Sequence, residues 1–120
     1  MEIVIYKDKD GSVPFIDWLN NVSRQDPRIP AKIKATLQIL NEHGFRLRRP
    51  VADYLRDDIY ELRIHFGRVN YRIFYSFYDN KIVLLNACVK EAKVPESEIN
   101  KAIGMLELYK SDPLRYKHGI

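Results

Sequence analysis

Ile59-Tyr60-Glu61-Leu62-Arg63-Ile64-His65-Phe66, followed after Gly67-Arg68 by Val69-Asn70-Tyr71-Arg72-Ile73-Phe74-Tyr75, is the stretch whose reading decides the fold. Alternate residues of a strand share a face. Glu61, Arg63 and His65 therefore point one way, and Leu62, Ile64 and Phe66 point the other. On the next strand Arg68, Asn70 and Arg72 can line up beside the charged set. Tyr71 and Tyr75 alternate with the core side and face away from Arg72. A third strand, ending in Cys88-Val89-Lys90-Glu91-Ala92-Lys93-Val94-Pro95, brings Lys90 to the mouth of the same face. A sheet face that gathers this much positive charge suits phosphate, which makes nucleic acid the first partner to consider.

Working outward, Asp79-Asn80 is a turn signal that joins the second and third of these strands as a hairpin, and Gly67 turns the first pair. Upstream, a short strand covers roughly residues 2–6. Ser12 is placed to cap a first helix with Phe15, Trp18, Leu19 and Val22 at helical spacing. Asp26-Pro27 reads as the N-cap and first position of a second helix, which presents Ile29, Ile33, Leu37 and Leu40 and stops at Gly44. Phe45 to Pro50 is a basic connector carrying Arg46, Arg48 and Arg49. A closing helix runs from about Pro95 to Lys110 with Ile99, Ala102, Ile103, Leu106 and Tyr109 on one stripe. Residues 111–120 form a polar, basic and loosely held tail.

The order is β-α-α-β-β-β-α in an α+β domain spanning residues 1–110. A mostly antiparallel sheet carries the helical hairpin and the C-terminal helix, with part of one face left open. At 120 residues and 46% apolar composition the chain is long enough for one core and is not generally disordered. The net charge of +4 agrees with a nucleic-acid or acidic-protein partner.

Several chemistries find no support. One cysteine, Cys88, gives neither a disulfide framework nor a CxxC metal motif. His43, His65 and His118 are scattered, with no HExxH pair, so no metal is expected. Phosphate loops of the GxxxxGK[ST] type and GxGxxG turns are absent, and no serine sits in a nucleophile elbow. No cofactor is implied. No apolar run approaches the ~20 residues that cross a bilayer, and the amino terminus lacks a signal-peptide pattern, so a cytoplasmic protein without membrane contact is expected.

What remains is the cationic cluster. Arg63, Arg72 and Lys90 can stabilise charge on a phosphorane, and His65, Tyr71 or Glu61 can move a proton, Tyr71 being the weaker because it faces away from Arg72. Arg68 and Lys93 can hold RNA backbone, as can the run of Arg46, Arg48 and Arg49. The same Arg63, Arg72 and Glu61 can equally be cross-strand ion pairs on a solvated sheet.

These motifs, in this order and spacing, resemble the RelE/ParE superfamily of toxin–antitoxin toxins, especially its phage-derived HigB-like branch. Tyr60-Glu61-Leu62-Arg63, Tyr71-Arg72-Ile73-Phe74-Tyr75, the basic end of the last strand and the proline opening the final helix carry the likeness over residues 1–110. The resemblance implies the same fold and a metal-independent endoribonuclease that cuts mRNA on translating ribosomes. It also implies a cognate antitoxin with a helix-turn-helix, HigA-like architecture. Carried over by position, Arg63 and Arg72 stabilise phosphate, and Lys90 and Lys93 match the basic run. Glu91 stands where a lysine or arginine is usual. It keeps open a non-cleaving member that acts as a binding module or gyrase inhibitor.

Overall fold

A computed structural model describes residues 1–90 and 94–119, with Lys90 described through its backbone. The Lys90 side chain, Glu91 and Lys93 thus lie outside the described residues. The elements are β1 (Glu2–Ile5), α1 (Pro14–Gln25), α2 (Ile29–His43), a short 3-10 turn (Gly44–Arg46), β2 (Ala52–Arg56), β3 (Ile59–Phe66), β4 (Val69–Tyr78), β5 (Lys81–Lys90) and α3 (Glu96–Ser111). The α+β class and the three central strands stand as expected. The sheet holds a further strand, β2, just past the basic connector, where the sequence pattern assigns no element.

The five strands lie in the order β1-β5-β4-β3-β2. All neighbours are antiparallel except β1, which runs parallel to β5. The hairpins turn on pairs of residues with positive φ: Asp79 and Asn80 between β4 and β5, and Asp57 and Asp58 between β2 and β3. Asp and Asn tolerate this left-handed region better than other side chains do, and a turn with two such residues matches the twist of its flanking strands. The sequence signal for β2 was thus its Asp57-Asp58 turn, chemically akin to the Asp79-Asn80 pair.

Alternation along the strands makes two cores. Leu62, Ile64, Tyr71, Ile73, Tyr75, Ile82 and Leu84 face α1 and α2, where Phe15, Val22, Ile29, Ile33 and Leu40 meet them. Ile59, Phe74, Val83 and Leu85 face the other way, against Ala102, Leu106 and Tyr109 of α3. The hairpin of helices and the closing helix therefore take opposite faces. Residues at the far end of the α3 face, Arg63, His65, Asn70 and Arg72, are not part of this second core.

Three details differ from expectation. Ser12 does not cap α1, because its hydroxyl and N–H both donate to Asp10 Oδ1 at 2.7 and 2.9 Å. The helix starts instead at Pro14, whose missing N–H removes one of the donors a cap would satisfy. Asp26 is not the N-cap of α2: its carboxylate accepts from the Arg28 N–H and guanidinium, and the helix begins at Ile29, later than expected. The segment after α3 is held rather than loose. Tyr116 is buried against Tyr6, and Tyr6 and Lys117 form an antiparallel bridge.

Ile73 is fully buried at the centre of the sheet. Ile73→Ala should lower unfolding stability by roughly 2–5 kcal/mol through lost burial and the cavity left behind. Urea denaturation would show this as a lower midpoint with an unchanged slope.

Candidate functional site

The charged face is assembled by register. Arg63 on β3 stands directly opposite Arg72 on β4, and His65 opposite Asn70. Beyond them on β5, Cys88 stands opposite Arg72 and the Lys90 backbone opposite Asn70. Cys88 is half-buried there. Two guanidiniums at one cross-strand position repel unless something binds both. Glu61 does so. Its side chain is 4% exposed, Oε1 accepts from Arg63 Nε at 2.7 Å, and Oε2 lies 3.5 Å from Arg72 Nε.

The two halves of this clamp are unequal. Arg63 is committed, since its Nη2 also donates to Asp53 Oδ2 at 3.2 Å. Arg72, 17% exposed, pairs with Glu61 by charge alone. Neither Arg72 Nε nor Glu61 Oε2 makes a hydrogen bond among the described residues. A buried charged donor without such a bond forgoes on the order of 1–3 kcal/mol, which a better-placed acceptor would recover. Arg72 is the member of the pair that is ready to be redirected.

The chain of charges continues outward. Asp53 on β2 accepts from Arg49 Nε and Nη2 at 3.0 and 2.9 Å, besides Arg63. Three guanidiniums against two carboxylates leave a single net positive charge. Asp53 is the residue that the sequence reading missed, because it rides on the unread strand. The Arg49 hydrogen bond holds its carboxyl below the usual value of 3.8, although burial pushes the other way.

His65 is exposed, and its Nδ1 lies 2.7 Å from Asn70 Oδ1. In the tautomer that donates Nδ1–H, Nε2 keeps its lone pair and can accept a proton. Arg63, His65, Asn70 and Arg72 line one groove of about 430 Å³ with Lys32, Thr36 and Ile39 of α2 and with Pro50 and Val51. Tyr71 lies on the opposite side, buried and edge-on to Trp18 at 6.0 Å.

The remaining arginines spread out. Arg48 folds its guanidinium onto the carbonyls of Phe45 and Leu47 within the connector. Arg46 lines a different depression, with Met1, Asn41 and Asn80. Arg68 is exposed on the β3–β4 turn. Of the expected site residues, the structure thus brings together Glu61, Arg63, Arg72, His65 and, through Asp53, Arg49. It does not bring Arg46 or Arg68 into that cluster.

A known family covers most of the chain. Residues 17–107 match the family described as Phage derived protein Gp49-like (DUF891). The chain belongs to the Gp49-like family. This is a phage-derived, toxin-like family within the RelE/ParE toxin superfamily. The Gp49-like match takes in α1 to α3 and so every residue of the charged cluster. No curated protein matches the chain. No helix among the described residues is long and apolar enough to cross a membrane.

The lowered Asp53 value has a pH consequence. A carboxylate depressed in the folded state adds stability that is present above its unfolded value and is lost as pH falls through the folded one. Asp53→Asn should therefore be less stable than the native protein at neutral pH. Thermal unfolding across pH should show that gap closing only below about pH 4.

Proposed function

We propose that this protein is the toxin of a type II toxin–antitoxin pair, of the HigB-like kind, and that it cleaves mRNA on translating ribosomes without a metal. The observation that carries this reading is the pairing of Arg63 and Arg72 at one cross-strand position, with Arg72 lacking a hydrogen bond at Nε. A phosphodiester in the groove offers an acceptor to the part of the Arg72 guanidinium that stays accessible, and its charge competes with Glu61 for that arginine. Charge that develops on the non-bridging oxygens in the transition state then falls on a guanidinium already fixed in place, so little reorganisation is needed.

The chemistry requires only what RNA and these residues supply. The 2′-oxygen forms a bond to phosphorus while the bond from phosphorus to the 5′-oxygen breaks. His65 Nε2 takes the 2′-hydroxyl proton, and the departing 5′-oxygen takes a proton from water. The products are a 2′,3′-cyclic phosphate and a 5′-hydroxyl. Glu61 is buried beneath two arginines, so its part is to hold them rather than to move the proton. Arg63 fixes the geometry and shares the charge. Lys90 and Lys93 add positive charge by position in the chain, and Arg68, Arg46, Arg48 and Arg49 track backbone at longer range. A helix-turn-helix antitoxin of the HigA-like kind would silence the site.

A non-cleaving role as a binding module or gyrase inhibitor draws on one observation. Glu61 and Asp53 already neutralise most of the cluster's charge. Inducible expression in a bacterial host, with primer extension on an abundant mRNA, separates the readings. Native protein should arrest growth and leave codon-phased cuts. Arg72→Ala should cut at least roughly 100-fold more slowly, as expected for removing one charge-stabilising donor, and still bind antitoxin. Arrest without cuts would move the target to gyrase, and an Arg72→Ala protein that cuts normally would sink the assignment.

A further inference from the structure

A second cavity, of about 650 Å³, adjoins the charged cluster and takes no part in the chemistry above. Its walls are Phe45, Leu47, Arg48 and Arg49 from the connector, Ala52, Asp53 and Tyr54 from β2, and Tyr60 from β3. Its size falls within the range of about 300–1,000 Å³ that small-molecule pockets occupy. We infer that this cavity is a stacking subsite for an unpaired nucleobase of single-stranded RNA, next to the scissile phosphate. The inference rests on the ribonuclease reading for the identity of its ligand.

Three observations support it. The first is which side chains are exposed. Among the described residues, the exposed large hydrophobics include two aromatics, Phe45 at 55% and Tyr54 at 51%, and both line this one cavity. Scattered exposed apolar residues need no explanation, but two rings that converge on one space do.

The second is that these rings are held before any ligand arrives. Phe45 packs on Phe77 at 4.2 Å, and Tyr54 meets Tyr60 edge-on at 5.0 Å. Tyr60 in turn stacks on the buried Tyr75 at 5.4 Å. The Tyr54 hydroxyl accepts a hydrogen bond from the Asp58 N–H at 3.1 Å, which anchors the ring at its far end. Fixed π-faces bind a base at little cost in conformational entropy.

The third is charge. Arg48 and Arg49 stand on the wall of the same cavity, so a stacked base would carry its phosphate past cationic groups. Continuity with the cleavage groove comes through Asp53. It lines this cavity and also accepts from Arg63, which lines the other. A strand crossing from one cavity to the other would meet π-faces first and the Arg63–Arg72 pair next.

The test uses two fluorescein-labelled strands of equal length, both resistant to cleavage: a 2′-O-methyl oligoadenylate and its abasic counterpart. Anisotropy titrations would compare the native protein with Tyr54→Leu, Phe45→Leu and Tyr54→Phe. Native protein should prefer the oligoadenylate. Each leucine variant should lose roughly tenfold in affinity for it and keep its affinity for the abasic strand, while Tyr54→Phe, with its π-face intact, stays within about threefold of native.

Leucine variants that bind oligoadenylate as the native protein does would overturn the subsite, as would equal losses on both strands. Unchanged RNA binding with loss of the co-encoded antitoxin would overturn it too, and give the cavity to that partner. A base-dependent loss in a protein that cuts no mRNA would keep the subsite and remove the ribonuclease reading. Codon-phased cutting with normal RNA binding by the leucine variants would do the reverse.

Discussion

Glu61 is a charged group held almost entirely out of water in the middle of a sheet, and the open end of the molecule is organised around keeping it paired. An isolated buried carboxylate costs several kcal/mol, so pairing with arginine, above all the hydrogen bond from Arg63, supports the fold as well as readying the face for anions. That requirement sets Arg63 and Arg72 side by side although they carry the same charge. It also draws in Asp53 as a second acceptor for Arg63, and Asp53 in turn holds Arg49 and the connector. The same pairing that makes the cluster stable leaves it only weakly positive. A substrate phosphate must therefore compete with carboxylates already in place, and Arg72, with its unmade hydrogen bond, is where that competition is easiest.

The two faces of the sheet divide the work. One is closed by the helical hairpin over Leu62, Ile64 and Ile73, and gives the sheet its rigidity. The other is closed by α3 only beside Ile59, Phe74 and Val83, while the groove at the arginines is walled by α2, Pro50 and Val51. On the α3 side Arg56 reaches from β2 to Glu96 and Asn100, at 2.8 and 2.6 Å, and fixes where the cover ends.

Much of this was legible in the sequence, for reasons that can be traced to particular residues. Period-two alternation from Ile59 to Tyr75 fixes which side chains share a face, so Glu61, Arg63, His65 and Arg72 could be grouped before any coordinates. Hairpin register then follows from short turns, which is why opposing pairs came close to their observed places. Asp53 was hidden because Ala52-Asp53-Tyr54-Leu55-Arg56 has no clean alternation and sits beside a run of arginines that reads as a loop. The caps failed for a different reason: Ser12 and Asp26 have nearby competitors, Asp10 and Arg28, and a local side-chain pair wins over a helix N–H that has not yet formed. Burial depth was also out of reach. Nothing in the pattern distinguishes a solvated Glu61–Arg63 pair from one whose carboxylate is buried beneath its arginines.

The parallel pairing of β1 with β5 has a temporal meaning. β1 is an edge strand that finds its neighbour only after residues 81–90 have been made, and α3 and Tyr116 close over the same region later still. Such long-range pairing is slow to form because a large loop must close first. Until then Ile3, Val4 and Ile5 are an unpaired apolar edge, the kind of segment that seeks any available partner strand.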